Sequence, residues 1–292
     1  MRYVKLLEEW SDLLTRRPTF RGPLDPYLAL LESWTRYSPE ELLPLRWTAH
    51  ECEERWQREI PLLSEAPPSI PPEQIEDLLG ASLELLAALG DYQEATRRFA
   101  AAWDAGEIAP ATLFPGKGRI GGAEAQQSLG VPQEVLSFLA CCTLRPALDV
   151  YFAECRPHLK DSSWALGVCP FCGAPPGFAD VIESGQRRLA CHMCGSHWVF
   201  ARLRCPFCGH QTAKDLVRLD AEQKEEGYFL SACKRCHAYI KELDRRVRWN
   251  AGSALIEDWG SPHFDLVASR AGFWRPIPSL IQLTRPPDSP SA

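Results

Sequence analysis

The chain has 292 residues, 45% of them hydrophobic and 24% charged, and a formal net charge of −6. This is an ordinary globular composition with apolar residues enough for two or three packed units, and it excludes a disordered, fibrous or polycationic chain. No apolar run approaches the ~20 residues that cross a bilayer, so no membrane insertion is expected.

Residues 1–163 read as an all-α domain punctuated by proline and glycine. The opening MRYVKLLEEWSDLL is amphipathic and acidic, a helix over 4–14 and not a signal peptide. Arg16 and Arg17 precede Pro18 and polar residues, unlike a twin-arginine export signal. Leu24, Tyr27, Leu28, Leu31 and Trp34 recur at spacings of three and four, the buried stripe of a helix over 23–37. A segment over 41–59 carries Pro44 as an interruption, and the prolines of APPSIPP at 66–72 make a stiff connector. Ile75, Leu78, Leu79, Leu83, Leu86 and Leu89 mark the next helix, which Gly90 ends, and Asp91 caps another reaching 104. Gly116, Gly118 and Gly121 spell G-x-G-x-x-G, but helical sequence precedes them and no alternating strands surround them. A loop is expected there, not a dinucleotide-binding turn. Helical pattern resumes over 132–159, with a kink or break expected at Pro146. Cys141, Cys142 and Cys155 in this stretch, and the isolated Cys52, read as small buried residues.

Eight of the twelve cysteines then fall in the window 169–236 as four Cys-x-x-Cys knuckles: Cys169/Cys172, Cys191/Cys194, Cys205/Cys208 and Cys233/Cys236. Such a knuckle brings two thiolates to one side of a tight loop, and two knuckles complete a tetrahedral S₄ metal site. The expected pairing is first with second and third with fourth, giving two Cys₄ sites; an interleaved arrangement is the alternative. Gly173, Gly195 and Gly209 follow the first three knuckles and suit a left-handed backbone, and His237 breaks that pattern. CPFCG recurs at an offset of 36 residues, and short alternating segments near 178–182, 187–190, 198–203, 215–219, 228–231 and 239–243 read as strands of a duplicated ribbon. No βαβ pattern supports thioredoxin-like dithiols. Tetrathiolate sites suit iron or zinc alike, and His192, His197, His210 and His237 are read as surface or supporting residues, not ligands. Trp198, Phe200 and Tyr239 are either packed within the ribbons or exposed anchors for a partner.

The expected architecture is therefore α+β: an α-helical domain over 1–163, two tandem rubredoxin-like or zinc-ribbon modules over 164–204 and 205–249, and a C-terminal segment over 250–292. That last segment should hold short helices over 254–259 and 264–271 and a disordered tail, RPPDSPSA. Charge divides unevenly, −9 over 1–164, +4 over 165–250 and −1 over 251–292. A +4 excess on an acidic chain falls short of the clustered basic face of nucleic-acid-binding domains, so that role ranks last. No Walker A, HExxH or serine-elbow motif is present, so no catalytic residue is assigned and an enzyme is not expected.

Helices followed by a tandem CPxCG ribbon pair resemble the formate dehydrogenase accessory protein family, FdhE. The resemblance rests on WALGVCPFCGAPP at 164–176, on RLACHMCGSHWVFARLRCPFC at 188–208, on the fourth knuckle and its exit strand at 233–243, and on the Asp-Leu to Gly-aromatic element at 265–273. It implies a cytoplasmic assembly factor for respiratory formate dehydrogenase that binds the enzyme's catalytic subunit. The eight cysteines carry over as ligands of two metal sites, iron or zinc. A rubredoxin-like redox role is the runner-up, and pairing into a homodimer stays open.

Overall fold

The structure is a computed structural model that describes residues 2–38, 42–88, 92–116, 120, 129–219, 225–277 and 279. Leu89, Gly90, Asp91, Gly118, Gly121 and the tail over 285–292, where the sequence places a helix end, a cap, a glycine loop and a disordered terminus, lie outside them. Helices α1 (Arg2–Arg16), α2 (Arg21–Leu24), α3 (Pro26–Arg36), α4 (Ala49–Gln57), α5 (Leu62–Glu65), α6 (Glu76–Ala87), α7 (Gln93–Asp104) and α8 (Gln133–Tyr151) come first. Strands β1 (Phe178–Val181), β2 (Arg187–Ala190), β3 (His197–Phe200), β4 (Leu216–Leu219), β5 (Tyr228–Cys233) and β6 (Tyr239–Asp244) follow, then helices α9 (Ala254–Trp259) and α10 (Pro262–Arg270).

Local chemistry accounts for where the helices depart from the sequence reading. In α3, Tyr27, Leu30, Leu31 and Trp34 are buried while Leu28 is partly exposed. At 100° per residue the first four make the tighter stripe and Leu28 falls at its margin. The expected helix over 41–59 forms only from Ala49, and Leu42–Thr48 is irregular. The start is set by a capping box: the Thr48 hydroxyl accepts from the Glu51 amide at 3.3 Å, and Glu51 Oε2 accepts from the Thr48 amide at 2.7 Å. Pro146 does not break α8, which runs through it. Proline lacks the N–H that would bond the carbonyl four residues back. That carbonyl belongs to Cys142, and the Trp34 indole N–H donates to it at 2.8 Å.

The two ribbons form one sheet. Among the described residues the strand order is β3-β2-β1-β6-β5-β4, antiparallel within each ribbon and parallel where β1 meets β6, with Ala179 opposite Glu242 and Val181 opposite Asp244. The first strand of one unit thus takes the last strand of the other, head to tail. Nothing in the cysteine spacing signals that junction. The expected 163/164 and 204/205 boundaries separate runs of sequence, but a single apolar core unites the helices with Phe171, Leu189, Met193, Trp198 and Phe200 of the first ribbon.

Helices α9 and α10 tie the far end back to the beginning. Trp259 stacks on Tyr27 with ring centroids 4.2 Å apart and meets Trp10 and Trp34 at 6.5 and 5.7 Å. Behind α9 lies a buried charge cluster that sequence reading does not reveal. Lys241 Nζ donates to Asp265 at 2.7 Å and to the Asp258 and Ser261 carbonyls at 2.7 and 3.1 Å. Arg275 grips both oxygens of Asp258, at 2.7 and 2.8 Å, reaches Asp265 at 3.2 Å and donates to Gly177 O at 2.7 Å. The Tyr239 hydroxyl donates to Asp265 at 2.6 Å. Two cations balance two carboxylates with nearly every lone pair bonded, the condition under which buried ions persist. Burial opposes ionisation of Asp258, but Arg275 and Lys241 outweigh it and hold the carboxyl well below its ordinary range.

Two outcomes follow. Trp259→Ala should lower unfolding stability in urea by about 3–5 kcal/mol, the usual cost of removing a buried indole, while Trp249→Ala, at an exposed site, should change it by no more than about 0.5 kcal/mol. Arg275→Met strands negative charge in the core and should cost about 3–5 kcal/mol. Adding Asp258→Asn should recover part of that loss, a coupling read from a double-mutant cycle.

Candidate metal centres

Each knuckle is a short loop closed by the same backbone bonds. Cys169 N donates to Ala174 O at 2.8 Å, Cys191 N to Ser196 O at 2.9 Å, Cys205 N to His210 O at 2.8 Å and Cys233 N to Ala238 O at 2.9 Å. The residue after the second cysteine is left-handed in all four, with φ of 78°, 73° and 73° at Gly173, Gly195 and Gly209 and 54° at His237. His237 therefore adopts the backbone of the glycine it replaces, a conformation that costs a side-chain-bearing residue about 1 kcal/mol or more. The β1–β2 hairpin bridges the first pair of knuckles and the β4–β5 hairpin the second, so the sulfurs converge.

Among the described residues the eight cysteines gather as two groups, Cys169, Cys172, Cys191 and Cys194, and Cys205, Cys208, Cys233 and Cys236, each with its sulfurs within 4.8 Å of one another. Closest approaches cross between knuckles: Cys169 to Cys194 at 3.6 Å, Cys172 to Cys191 at 3.5 Å, Cys205 to Cys236 at 3.7 Å and Cys208 to Cys233 at 3.8 Å. A tetrahedron with metal–sulfur bonds of about 2.3 Å has edges of ~3.8 Å, whereas a disulfide needs about 2.05 Å. The donor set and spacing thus fit a four-coordinate ion at either place, zinc or iron, and either group could hold one.

Electrostatics make the same point. Burial pushes the Cys169 and Cys172 thiols well above their ordinary range. Burial also opposes ionisation of Cys194, yet hydrogen bonds from its three neighbours hold it far below. In the second group a hydrogen bond from Cys236 draws Cys205 down to about 5, while burial pushes Cys208 up to about 11. Burial thus opposes charge on Cys169, Cys172 and Cys208, and a dication would let all four sulfurs of each group ionise.

The surroundings differ. The first group is fully buried and gripped by the helices: Leu62 N and Leu63 N donate to Pro170 O and Phe171 O at 3.1 and 2.8 Å, and Trp56 Nε1 to Pro170 O at 3.1 Å. From α8, Arg145 donates to His192 O at 2.6 Å; just beyond its end, Arg156 donates to Cys194 O at 2.7 Å and pairs with Asp149 at 2.7 Å. His192, inside the second knuckle, is buried and bonds Asp258 at 2.8 Å, so the charge cluster reaches the first centre directly. Gly177 makes this possible, since a Cβ there would lie 2.1 Å from the His192 ring. The second group sits at the surface, with Cys208 exposed and Cys236 half-buried, and is held by Trp274, which donates to Cys236 O at 2.9 Å and His237 O at 2.8 Å.

His210 bonds Asp215 at 2.8 Å beside the third knuckle. Trp198, Phe200 and Tyr239 are buried, so the packing alternative holds and they are not exposed anchors. Cys52, Cys141, Cys142 and Cys155 are buried, as expected, and belong to neither sulfur group. The supporting residues Arg145, Arg156, Asp258 and Arg275 carried no motif; only the Asp265–Phe273 resemblance touched this region. No described helix is long and apolar enough to cross a membrane.

No family model matches the chain. Stretches of it are similar to the FdhE homologue of Stutzerimonas stutzeri, 34% identical over 119 residues (39% of this chain, 38% of that one). The FdhE homologue of Aquifex aeolicus is 29% identical over 150 residues (49% and 51%). The matches thus span about half or less of those relatives' length. The fold is that of the Pseudomonas aeruginosa FdhE crystal structure, with a TM-score of 0.60 over 96% of this chain and 95% of that one at 20% identity. Helices, duplicated ribbon and paired tetracysteine groups all agree with these likenesses: stretches of the chain are similar to FdhE homologues, and its fold is that of an FdhE protein.

Proposed function

We propose that this chain is a cytoplasmic accessory protein in the assembly of formate dehydrogenase, that it binds the enzyme's catalytic subunit through the six-stranded ribbon sheet, and that it carries out no formate chemistry itself. The observation that carries the reading is the pair of tetracysteine groups set at separate places on one sheet in a chain similar to FdhE homologues. Cys169, Cys172, Cys191 and Cys194 would hold one ion and Cys205, Cys208, Cys233 and Cys236 another; zinc there supplies a cross-link, and iron adds a one-electron couple. The chain's own residues do the rest. Arg145, Arg156 and the Leu62–Leu63 amides orient the first pair of knuckles, and the sheet presents a rigid surface to the client.

A second reading, a rubredoxin-like electron carrier acting on the client, is favoured by the exposure of Cys208, which brings the second centre to the surface. Visible absorption separates the two. A thiolate-to-iron band that bleaches on reduction supports the carrier, and a colourless, fully active protein removes it.

Metal-loaded protein should retain the catalytic subunit of formate dehydrogenase in an anaerobic pull-down; no retention under any loading condition contradicts the reading. Cys172→Ser, which opens a buried site tied to the helices, should give insoluble or unfolded protein, because a structural tetrathiolate ion contributes on the order of 10 kcal/mol to folding. Cys208→Ser should stay soluble with a native helical circular dichroism spectrum, lose about one metal per chain and bind the client more weakly.

A further inference from the structure

Arg145 stands on α8 with only 6% of its surface exposed, and its guanidinium meets the second knuckle, donating to Cys191 O at 3.3 Å and to His192 O at 2.6 Å. Arg156 donates to Cys194 O in the same loop at 2.7 Å. An arginine stays protonated in a protein, so both bring a full positive charge to the loop that carries two of the four sulfurs. The Arg145 guanidinium lies over the Trp34 ring, 5.6 Å from its centroid, and its Nε has no acceptor among the described residues. Asp149, one turn on, pairs with Arg156 at 2.7 Å and accepts from the Tyr3 hydroxyl at 3.0 Å. Beyond His192, Asp258 and Asp265 are matched by Lys241 and Arg275. Among the described residues of this buried region, Arg145, Arg156, Lys241 and Arg275 thus face Asp149, Asp258 and Asp265, and one positive charge is left over whichever pairs are drawn.

A cation taken out of water without a counter-ion is costly. The first sulfur group supplies the missing negative charge once it is ionised, because four thiolates around a dication sum to −2 and around a trication to −1. Attraction to Arg145 grows with that charge. All four cysteines of the group are buried, so neither bulk water nor salt screens the attraction as it would at the surface. The surrounding residues therefore favour the more negative assembly.

We propose that Arg145 is the counter-charge of the first centre and sets the charge of the ion held there, favouring a dication over a trication in the same four-sulfur cage. The inference rests on the reading of Cys169, Cys172, Cys191 and Cys194 as metal ligands and adds to it a residue that selects the ion's charge state. Positioning of the loop does not by itself call for an arginine. At the second centre the uncharged Trp274 indole bonds a knuckle carbonyl, Cys236 O, at 2.9 Å. What Arg145 adds at the first is charge, and removing that charge while keeping a donor separates the two roles.

A redox titration of the full chain, loaded anaerobically with iron(II) and followed by visible absorption, tests it, since four thiolates suit iron in both oxidation states. The wave that persists in Cys208→Ser reports the first centre. Arg145→Gln should shift its iron(II)/iron(III) equilibrium at least about tenfold towards iron(III), the scale on which a close opposite charge acts, which is a potential about 59 mV lower for one electron. Arg145→Lys keeps the charge and should stay near the wild-type potential. Asp149→Asn removes a neighbouring negative charge and should move the potential the other way, upward, a pattern of signs that lost packing would not produce. Arg97→Gln, at an exposed site on α7, should leave it unchanged. The proposal is overturned by a wild-type or higher potential in Arg145→Gln, by Arg145→Lys falling as far as Arg145→Gln, or by no rise in Asp149→Asn; the last decides alone should Arg145→Gln not fold. A wild-type chain that takes up no iron(II) at the first group would contradict the metal-centre reading itself, and this inference with it.

Discussion

Four sulfur atoms held within 4.8 Å of one another in a protein interior cannot all carry charge unless a cation joins them. The rest of the ribbon half depends on that constraint. Its strands are four to six residues long, and a unit of about 40 residues buries too little apolar surface to stand alone. Hydrogen bonds among the thiols, against the effect of burial, favour the thiolate at Cys194 and at Cys205. Burial pushes Cys169, Cys172 and Cys208 the other way, towards the protonated thiol. An ion at each place would convert that frustrated cluster into a cross-link between two knuckles, and through them between hairpin and core.

The two centres share a local design and differ in setting. Helical amides and two arginines hold the first, and His192 joins it to a balanced cluster of Asp258, Asp265, Lys241 and Arg275. Disturbing it therefore reaches the helices, the sheet and the C-terminal segment at once. A tryptophan from the C-terminal segment braces the second, which faces solvent through Cys208 and adjoins an arginine-lined cleft. One centre is enclosed by the core and the other is open to solvent. The head-to-tail joining of β1 to β6 leaves β3 of the first unit and β4 of the second outermost among the described residues.

Much of this was legible in the residues, and the limits are physical. Knuckle spacing fixes which thiolates can converge, hairpin arms alternate, and left-handed turns select glycine, so the ribbons and both cysteine groupings could be read directly. Thr48 and Glu51 spelled a capping box that marks the true start of α4. The continuity of α8 through Pro146 could not be read, since it depends on an indole 112 residues earlier bonding the Cys142 carbonyl. The parallel β1–β6 junction and the buried ion cluster are likewise long-range: nothing local to Lys241 or Arg275 shows that two aspartates from α9 and α10 will meet them.

The central claim, that a deeply held first centre and an accessible second centre each take one ion through four cysteines, is tested most directly by metal analysis of anaerobically purified protein before and during exposure to a strong chelator. The account predicts two equivalents of zinc or iron per chain, one removed quickly with the helical signal intact and the other retained until the protein unfolds. A folded chain carrying no metal, or both ions leaving together at one rate, would contradict it.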